Sequence, residues 1–174
     1  MPVAGAKPPF EQLYREFLPR IYAYVRVQVG STADAEDVTS EVFIHAYEAY
    51  GRYRPEAATP AAWLFRIARN TTLDHHRRSG RRDRLQQTLA RQPAATEDPS
   101  QLAEDRLRYA DLLGAVAQLT EGQRAAISLR HVGLAFAEIG AMLDCSEDAV
   151  KMLYHRGIRA LKEMVQRSEE GAGA

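Results

Sequence analysis

The chain of 174 residues contains one cysteine, three lysines and no long apolar run. Its single cysteine, Cys145, cannot form an internal disulfide, as is typical of proteins from a reducing cytoplasm. The apolar stretches are far shorter than the ~20 residues that a transmembrane helix needs, and residues 1–10 lack the features of a signal peptide. We therefore expect a cytoplasmic protein without membrane insertion.

Signatures of catalysis are also missing. The sequence holds no Gly-rich phosphate loop, nucleophile elbow or array of metal ligands. The run Asp74-His75-His76 does not qualify, because adjacent residues on a helix point about 100° apart and do not converge on one ion. The sequence thus predicts no catalytic residue, no metal and no cofactor, and it disfavours an enzyme.

Charge is segregated along the chain. The 23 lysines and arginines balance 23 aspartates and glutamates, so the formal net charge is zero. Residues 66–91 nevertheless hold eight arginines against two aspartates (net +6), whereas residues 92–115 hold two arginines against five acids (net −3). A polyanion responds to the local potential within about 10 Å at cellular salt, so the zero total does not exclude nucleic acid as a partner.

Apolar residues recur at three- and four-residue steps, and strand patterns are almost absent, which predicts an all-α fold. Pro19 is expected to kink the first helix or to start a second segment. A stretch of low hydrophobicity that contains Pro93 and Pro99 predicts a flexible linker between two small helical domains. The predicted limits are a tail at 1–9, a domain at 10–80, the linker at 81–106, a domain at 107–167 and a tail at 168–174.

Capping residues predict where several helices begin. Side-chain oxygens of serine and threonine accept hydrogen bonds from the free backbone NH groups of a first turn. A following proline or a glutamine three residues later strengthens the signal. The predicted caps are Ser31 or Thr32, Thr59 before Pro60, Thr120 with Gln123, and Ser146.

The C-terminal part carries the most specific pattern. A short helix predicted at 136–143, a turn at 144–146 and a longer helix at 148–163 match the helix-turn-helix arrangement of duplex DNA readers. Four side chains of the longer helix share one outward face, from which they would contact base edges or phosphates: Lys151, Met152, His155 and Arg156. The alternative is a solvated helix in an ordinary helical hairpin.

A second basic segment interleaves aromatic residues with arginine. Residues 50–54 read Tyr-Gly-Arg-Tyr-Arg, and the polar face of the next predicted helix carries Arg66, Arg69, Asn70, His75, Arg77 and Arg78. Aromatic faces for unstacked bases and guanidinium groups for phosphates are typical of proteins that bind single-stranded nucleic acid. Trp63 would hold a strand junction or fill the core, and burial statistics favour the core for a lone tryptophan.

Four acids form an edge on the second predicted helix: Asp34, Glu36, Asp37 and Glu41. The edge would become a partner-docking face if the neighbouring side chains are exposed, namely Val38, Val42, Ile44 and His45. The apolar stripe of the same helix, however, would bury Val38 and Val42. The alternative is that the acids simply favour the positive end of the helix dipole.

These residues resemble the bacterial extracytoplasmic-function (ECF) sigma factors, which contain only sigma regions 2 and 4. The matching segments are 34–43 and 63–70 in the first half, and 119–124, 136–140 and 145–161 in the second. Two motifs in the right order and at the right separation are more specific than either alone. The resemblance implies a non-catalytic subunit that binds core RNA polymerase and directs promoter-specific transcription initiation.

The resemblance also implies residue roles. Region 2 would bind the polymerase β′ clamp helices through Asp34, Asp37, Val38, Glu41, Val42 and His45. It would hold the melted non-template strand of the minus-ten element through Tyr50, Arg52, Tyr53, Arg54, Thr59, Trp63, Arg66, Arg69, Asn70, His75, Arg77 and Arg78. Region 4 would rest on the β flap and read the minus-thirty-five duplex through Arg124, Ser146, Lys151, Met152, His155, Arg156 and Arg159. An anti-sigma factor is a further partner that the resemblance suggests.

Two other functions stay open on the residues alone. A stand-alone helix-turn-helix repressor or activator would explain residues 119–164 but leaves the aromatic and basic segment without a purpose. A helical bundle that binds no DNA would need neither the helix-turn-helix pattern nor the aromatic and basic segment. Against the family pattern, Ser40 replaces glutamine, Ala149 replaces threonine, and Gly157 replaces alanine at an expected cost of about 1 kcal/mol of helix stability.

Overall fold

The computed structural model describes residues 6–86 and 103–172, and these ranges contain seven α-helices and no strand. The helices are α1 (Phe10–Val29), α2 (Thr32–Tyr50), α3 (Pro60–Gln86), α4 (Ala103–Ala117), α5 (Glu121–His131), α6 (Phe136–Leu143) and α7 (Glu147–Ala172). The contacts divide the chain between residues 97 and 98 into unit 1, with α1–α3, and unit 2, with α4–α7. The predicted all-α fold with two helical domains is confirmed.

The capping residues start the helices as predicted. Each cap oxygen accepts a hydrogen bond of 3.1 to 3.3 Å from a backbone NH group in the first turn. The acceptors and donors are Ser31 with Asp34, Thr59 with Ala62, Thr120 with Gln123, and Ser146 with Ala149. The Gln123 side chain also accepts from the Thr120 NH group at 3.2 Å, which completes a capping box.

Unit 1 packs its three helices around an apolar core. Helix α1 runs through Pro19 as one helix, so no second segment begins there. Phe65 of α3, which the periodicity did not single out, is fully buried and meets Tyr24 of α1 edge-on at 5.6 Å between ring centroids. Val38 and Val42 of α2 are also fully buried in this core.

Unit 2 places α5 and α6 against α7. Leu129, Leu134, Ile139 and Val150 are fully buried in its core. Helix α6 ends at Leu143, the following Asp144 adopts the left-handed conformation (φ 54°), and the Cys145 NH group donates to the Gly140 carbonyl at 3.0 Å. This tight turn sets the start of α7 and so orients its outward face.

Two glycines allow close packing in unit 2. A Cβ atom at Gly140 would lie 2.8 Å from the Cys145 carbonyl oxygen. At Gly157 a Cβ atom would lie 2.6 Å from Ile127 Cδ1 and 3.2 Å from Gln123 Cβ. Gly157 thus lets α5 approach α7, which offsets its low helix propensity.

The helices extend past several predicted domain limits. Helix α3 continues over residues 81–86, α4 begins at Ala103, and α7 continues to Ala172, where a tail was expected from 168. Low hydrophobicity marked these stretches as linker or tail, but their arginine, glutamate and glutamine residues are good helix formers. The remainder of the predicted linker, residues 87–102, lies outside the described residues. No helix within the described ranges has an apolar window long enough to cross a membrane.

Candidate nucleic-acid and partner interfaces

The predicted contact face of α7 is exposed to solvent. Met152, His155, Arg156 and Arg159 are exposed, and Met152 shows 52% of its surface to solvent. The Tyr154 ring lies edge-on to Phe136 of α6 at 5.5 Å, which attaches α7 to α6 behind this face, and it also lies edge-on to its neighbour His155 at 5.4 Å. The outward side chains therefore stand on a helix that is held by the short helix before it.

Lys151 and Ser146 are engaged within the first turn of α7. The Lys151 ammonium lies 2.8 Å from Glu147 and 3.6 Å from Asp148, and the hydrogen bond to Glu147 raises the pKa of Lys151. The Ser146 hydroxyl caps the helix. Both residues lie at the predicted duplex-facing end, but Lys151 would have to exchange its acidic partners for DNA.

Arg124 has a different role from the predicted DNA contact. Its guanidinium donates to the carbonyls of Val116, Ala117 and Leu119, at 3.2, 2.9 and 3.1 Å. Val116 and Ala117 end α4 and Leu119 lies in the turn after it, where backbone carbonyls lack the full set of intrahelical donors. Arg124 therefore joins α4 to α5, and the expectation that it serves DNA is not supported by this geometry. The sequence could not show this, because the carbonyls reach Arg124 only through the turn at 118–120.

The loop between α2 and α3 buries a predicted DNA contact. Tyr53 is only 3% exposed, its hydroxyl donates to the Ala58 carbonyl at 3.0 Å, and burial raises the pKa of Tyr53. The ring stacks on Trp63 at 4.4 Å between centroids and 24° between planes. Tyr53 cannot stack on a base, so that prediction is corrected. Trp63 is half-buried, with one face stacked on Tyr53, and is not among the fully buried core residues.

The arginines of the loop and Tyr50 differ in exposure. Arg52 and Arg54 are exposed, and the Arg54 guanidinium also donates to the Gly51 and Tyr53 carbonyls at 3.0 and 3.1 Å. Tyr50 is half-buried, and its hydroxyl donates to the Pro8 carbonyl at 2.6 Å. Of these three residues, therefore, only the two arginines are exposed to solvent.

The polar face of α3 is basic, and some of its arginines form ion pairs with acidic side chains. Arg66, Asn70, Arg77 and Arg78 are exposed, whereas Arg69 and His75 are half-buried. Arg77 lies 3.0 Å from Asp74, and Arg78 lies 2.7 Å from Glu41 of α2. The basic surface predicted from the sequence is thus present, with two of its arginines held by acids.

The acidic edge of α2 is arranged differently from the predicted docking face. Val38 and Val42 are buried, so neither can contact a partner, and the prediction of their exposure was wrong. The large apolar side chains that are exposed on α2 are Ile44, at 58%, and Tyr47, at 68%. Tyr47 was missed, although the buried stripe 38, 42 and 46 places residue 47 on the outside by helical spacing.

The remaining predicted partner contacts reach toward α3. His45 lies 3.3 Å from the Thr71 hydroxyl, and Asp34 lies 4.0 Å from His75. Asp37 is exposed, and Glu41 is half-buried beside Arg78. The predicted partner-binding and DNA-binding residues of unit 1 are therefore in direct contact along the α2–α3 interface.

Metal-binding geometry is not present in the part of the chain that the structure describes. Within residues 6–86 and 103–172, no three histidine, cysteine, aspartate or glutamate side chains lie close enough to hold one ion. Cys145 is half-buried in the turn before α7.

Comparison with known proteins identifies the family. Family models for sigma-70 region 2 and sigma-70 region 4 match residues 13–82 and 109–161. The ECF RNA polymerase sigma factor SigL of Mycobacterium tuberculosis is 34% identical over 158 residues, which cover 88% of this chain and 87% of SigL. The chain therefore belongs to the sigma-70 family, in its ECF group.

Another relative is longer than this chain. The ECF RNA polymerase sigma factor BldN of Streptomyces coelicolor is 34% identical over 166 residues, which cover 93% of this chain but only 62% of BldN. Among solved structures, the sigma factor RpoE of Bartonella quintana, in complex with the anti-sigma factor NepR, is similar with a TM-score of 0.75 and 23% identity. That match covers 90% of this chain and 96% of the solved one, and it supports the fold.

Proposed function

We propose that the chain is a promoter-specificity subunit, which binds core RNA polymerase and directs transcription initiation without catalysing it. The observation that supports the proposal is the presence of two different exposed surfaces, one in each unit, whose side chains suit contacts with nucleic acid. Unit 2 has an open helix face suited to a duplex groove, and unit 1 has a basic surface beside an aromatic loop. A stand-alone helix-turn-helix regulator would use only the first.

Region 4, at 107–167, places α7 in the major groove of the minus-thirty-five element. Arg156 donates to a guanine edge or a phosphate, Met152 and His155 make apolar and mixed contacts, and Arg159 contacts the backbone. Ser146 and Lys151 lie nearer the start of the helix, where Lys151 exchanges Glu147 for a phosphate. The unit also rests on the polymerase β flap.

Region 2, at 10–80, holds the melted non-template strand of the minus-ten element. Arginines and Asn70 of the loop and of α3 contact the strand, and the outer face of Trp63 supports a base. Tyr53 supports these groups from within the fold. The proposed contacts are Arg52, Arg54, Thr59, Trp63, Arg66, Arg69, Asn70, His75, Arg77 and Arg78.

The polymerase β′ clamp helices bind the outer face of α2. Asp37, Glu41 and His45 supply polar contacts, and the exposed Ile44 and Tyr47 supply the apolar centre that stable interfaces need. The protein acts in the cytoplasm, where the polymerase and its promoters are found. An anti-sigma factor is a further partner, by analogy with the solved complex of the RpoE relative.

Reconstituted transcription tests the function. Purified chain and bacterial core polymerase are run on a promoter library, and we expect specific transcripts only when both are present. Arg156→Ala should lower use of preferred promoters by about 1–3 kcal/mol and relax base preference upstream. Arg15→Ala, at an exposed position of α1, serves as the matched control. Tight duplex binding by the chain alone, with no effect on transcription, would favour the stand-alone regulator instead.

A further inference from the structure

The residues before α1 are attached to the end of α2. The N-terminal strap, residues 7–10, consists of three residues before α1 and the first residue of that helix, and it contacts aromatic side chains and backbone at the end of α2. The Lys7 ammonium lies 3.9 Å from the centroid of the Tyr50 ring and donates to the Tyr50 carbonyl. The Tyr50 hydroxyl donates in return to the Pro8 carbonyl at 2.6 Å. Phe10 meets the rings of Tyr47 and Tyr50 edge-on, at 5.2 and 5.5 Å.

The contacts of the strap are made at the end of α2, directly before the loop 51–59. Tyr50 is the last residue of α2, and its carbonyl also accepts from the Tyr53 NH group at 3.1 Å. No residue in the last turn of α2 is basic. Lys7 therefore supplies, from outside the helix, the positive charge that favours a helix C-terminus.

The far side of the loop is held in another way. Tyr53 stacks on Trp63, and its hydroxyl bonds the Ala58 carbonyl. The exposed Arg52 lies between the two attachments, directly after Gly51. Pro9 is extended (φ −55°, ψ 143°), and adjacent prolines at 8 and 9 restrict the undocked strap, so docking loses less conformational entropy.

We propose that the strap positions the loop that grips single-stranded promoter DNA, with Lys7 as its main positioning residue. The inference rests on the proposed function of unit 1. Lys7 and Pro8 hold the Tyr50 side chain and carbonyl, which sets the direction in which the chain leaves α2 and presents Arg52. Tyr50, which the sequence marked as a base contact, transmits this restraint.

The test compares Lys7→Met with Lys7→Arg, and Tyr50→Phe with the wild type. Lys7→Met keeps the apolar stem but removes the charge and the donor, whereas Lys7→Arg retains both. Tyr50→Phe keeps the ring and removes the bond to Pro8. Arg15→Met, on the exposed side of α1, controls for loss of one positive charge.

Two measurements on the holoenzyme separate positioning from folding. In Lys7→Met we expect core polymerase affinity within about twofold of the wild type, but open-complex formation, followed by permanganate reactivity, lowered by about three- to tenfold. Tyr50→Phe should show the same split with a smaller loss, and Lys7→Arg should restore most of the opening. Opening within twofold of the wild type in Lys7→Met, or an equal loss of affinity and opening, would overturn the proposal.

Hydrogen exchange in the free chain provides a readout that does not need the polymerase. The Arg52 and Tyr53 NH groups, which donate to Ala49 and Tyr50 carbonyls, should exchange at least about threefold faster in Lys7→Met. Unchanged exchange would refute the attachment of the loop by the strap. If the wild-type chain fails to activate core polymerase, the function of unit 1 is wrong, and exchange alone then decides whether the strap holds the loop.

Discussion

The two units differ in how their proposed contact residues relate to their own fold. In unit 2, Met152, His155 and Arg156 project from a helix that is held by other residues, namely Tyr154 and Gly140, and only Ser146 and Arg124 of the predicted contacts also stabilise the fold. In unit 1, residues that the sequence marked as contacts also stabilise the fold. Tyr53 is buried, Tyr50 is bound by the strap, and Arg78 pairs with Glu41.

The difference predicts how each unit responds to substitution. Replacing an exposed residue of the α7 face should change DNA binding and leave the free energy of unfolding nearly constant. Replacing an aromatic residue of the unit 1 loop should change both. Activity losses in unit 1 therefore identify contacts only when stability is measured beside them.

Tyr53→Ala gives the largest expected effect. It removes a buried ring that stacks on Trp63, and we expect the free energy of unfolding to fall by about 3–5 kcal/mol. Arg52→Ala, one residue earlier and exposed, should change it by less than about 0.5 kcal/mol. Urea denaturation followed by circular dichroism measures both. Equal, small changes would show that Tyr53 is a surface contact after all.

Gly140→Ala tests the turn on which the α7 face depends. The new Cβ atom would meet the Cys145 carbonyl oxygen, a backbone atom, and we expect a loss of about 1–3 kcal/mol. Gly114→Ala, at a helical glycine with open space around it, should instead be neutral or stabilise by up to about 1 kcal/mol. Thermal unfolding of the two variants gives the comparison, and a stable Gly140→Ala chain would argue against the close approach.

Thr39→Val, in the core of unit 1, is expected to raise the free energy of unfolding. The buried Thr39 hydroxyl finds no hydrogen-bond partner among the described residues, so replacing it by a methyl group should add about 1 kcal/mol. Thr72 is equally buried, but its hydroxyl donates to the Arg69 carbonyl at 2.8 Å. Thr72→Val should therefore destabilise the chain, and opposite signs in urea denaturation are the expected result.

The smallest effect concerns the ion pair between the two faces of unit 1. Glu41 and Arg78 are partly exposed, so a double-mutant cycle with Glu41→Gln and Arg78→Gln should give a coupling below about 1 kcal/mol that weakens with salt. The cycle is measured by urea denaturation at low and at high salt. A coupling of several kcal/mol, insensitive to salt, would mean that the pair is a structural anchor of α2 and α3.

Part of the candidate site could be predicted because its determinants are local. The exposed face of α7 follows from helical spacing, and its start follows from the Ser146 cap. The burial of Val38 and Val42 also follows from spacing, because both belong to the apolar stripe of α2, and the predicted docking role of these two residues contradicts that stripe. Tyr53 could not be placed, because its burial depends on Trp63, ten residues later in another element.

The sequence alone determined the helices, their caps, the charge segregation and the two family motifs, because each depends on residues that are near one another in the chain. These features depend on hydrogen bonds and side-chain spacing within a few residues. Only the packing of the helices decided which aromatic rings are buried and which arginines are bonded to groups of their own fold. It also decided where residues 7–10 attach. Arg124, whose guanidinium donates to backbone carbonyls, and Arg156, which lies on an exposed helix face, look the same in a sequence. The groups that surround each arginine are set by the folded structure.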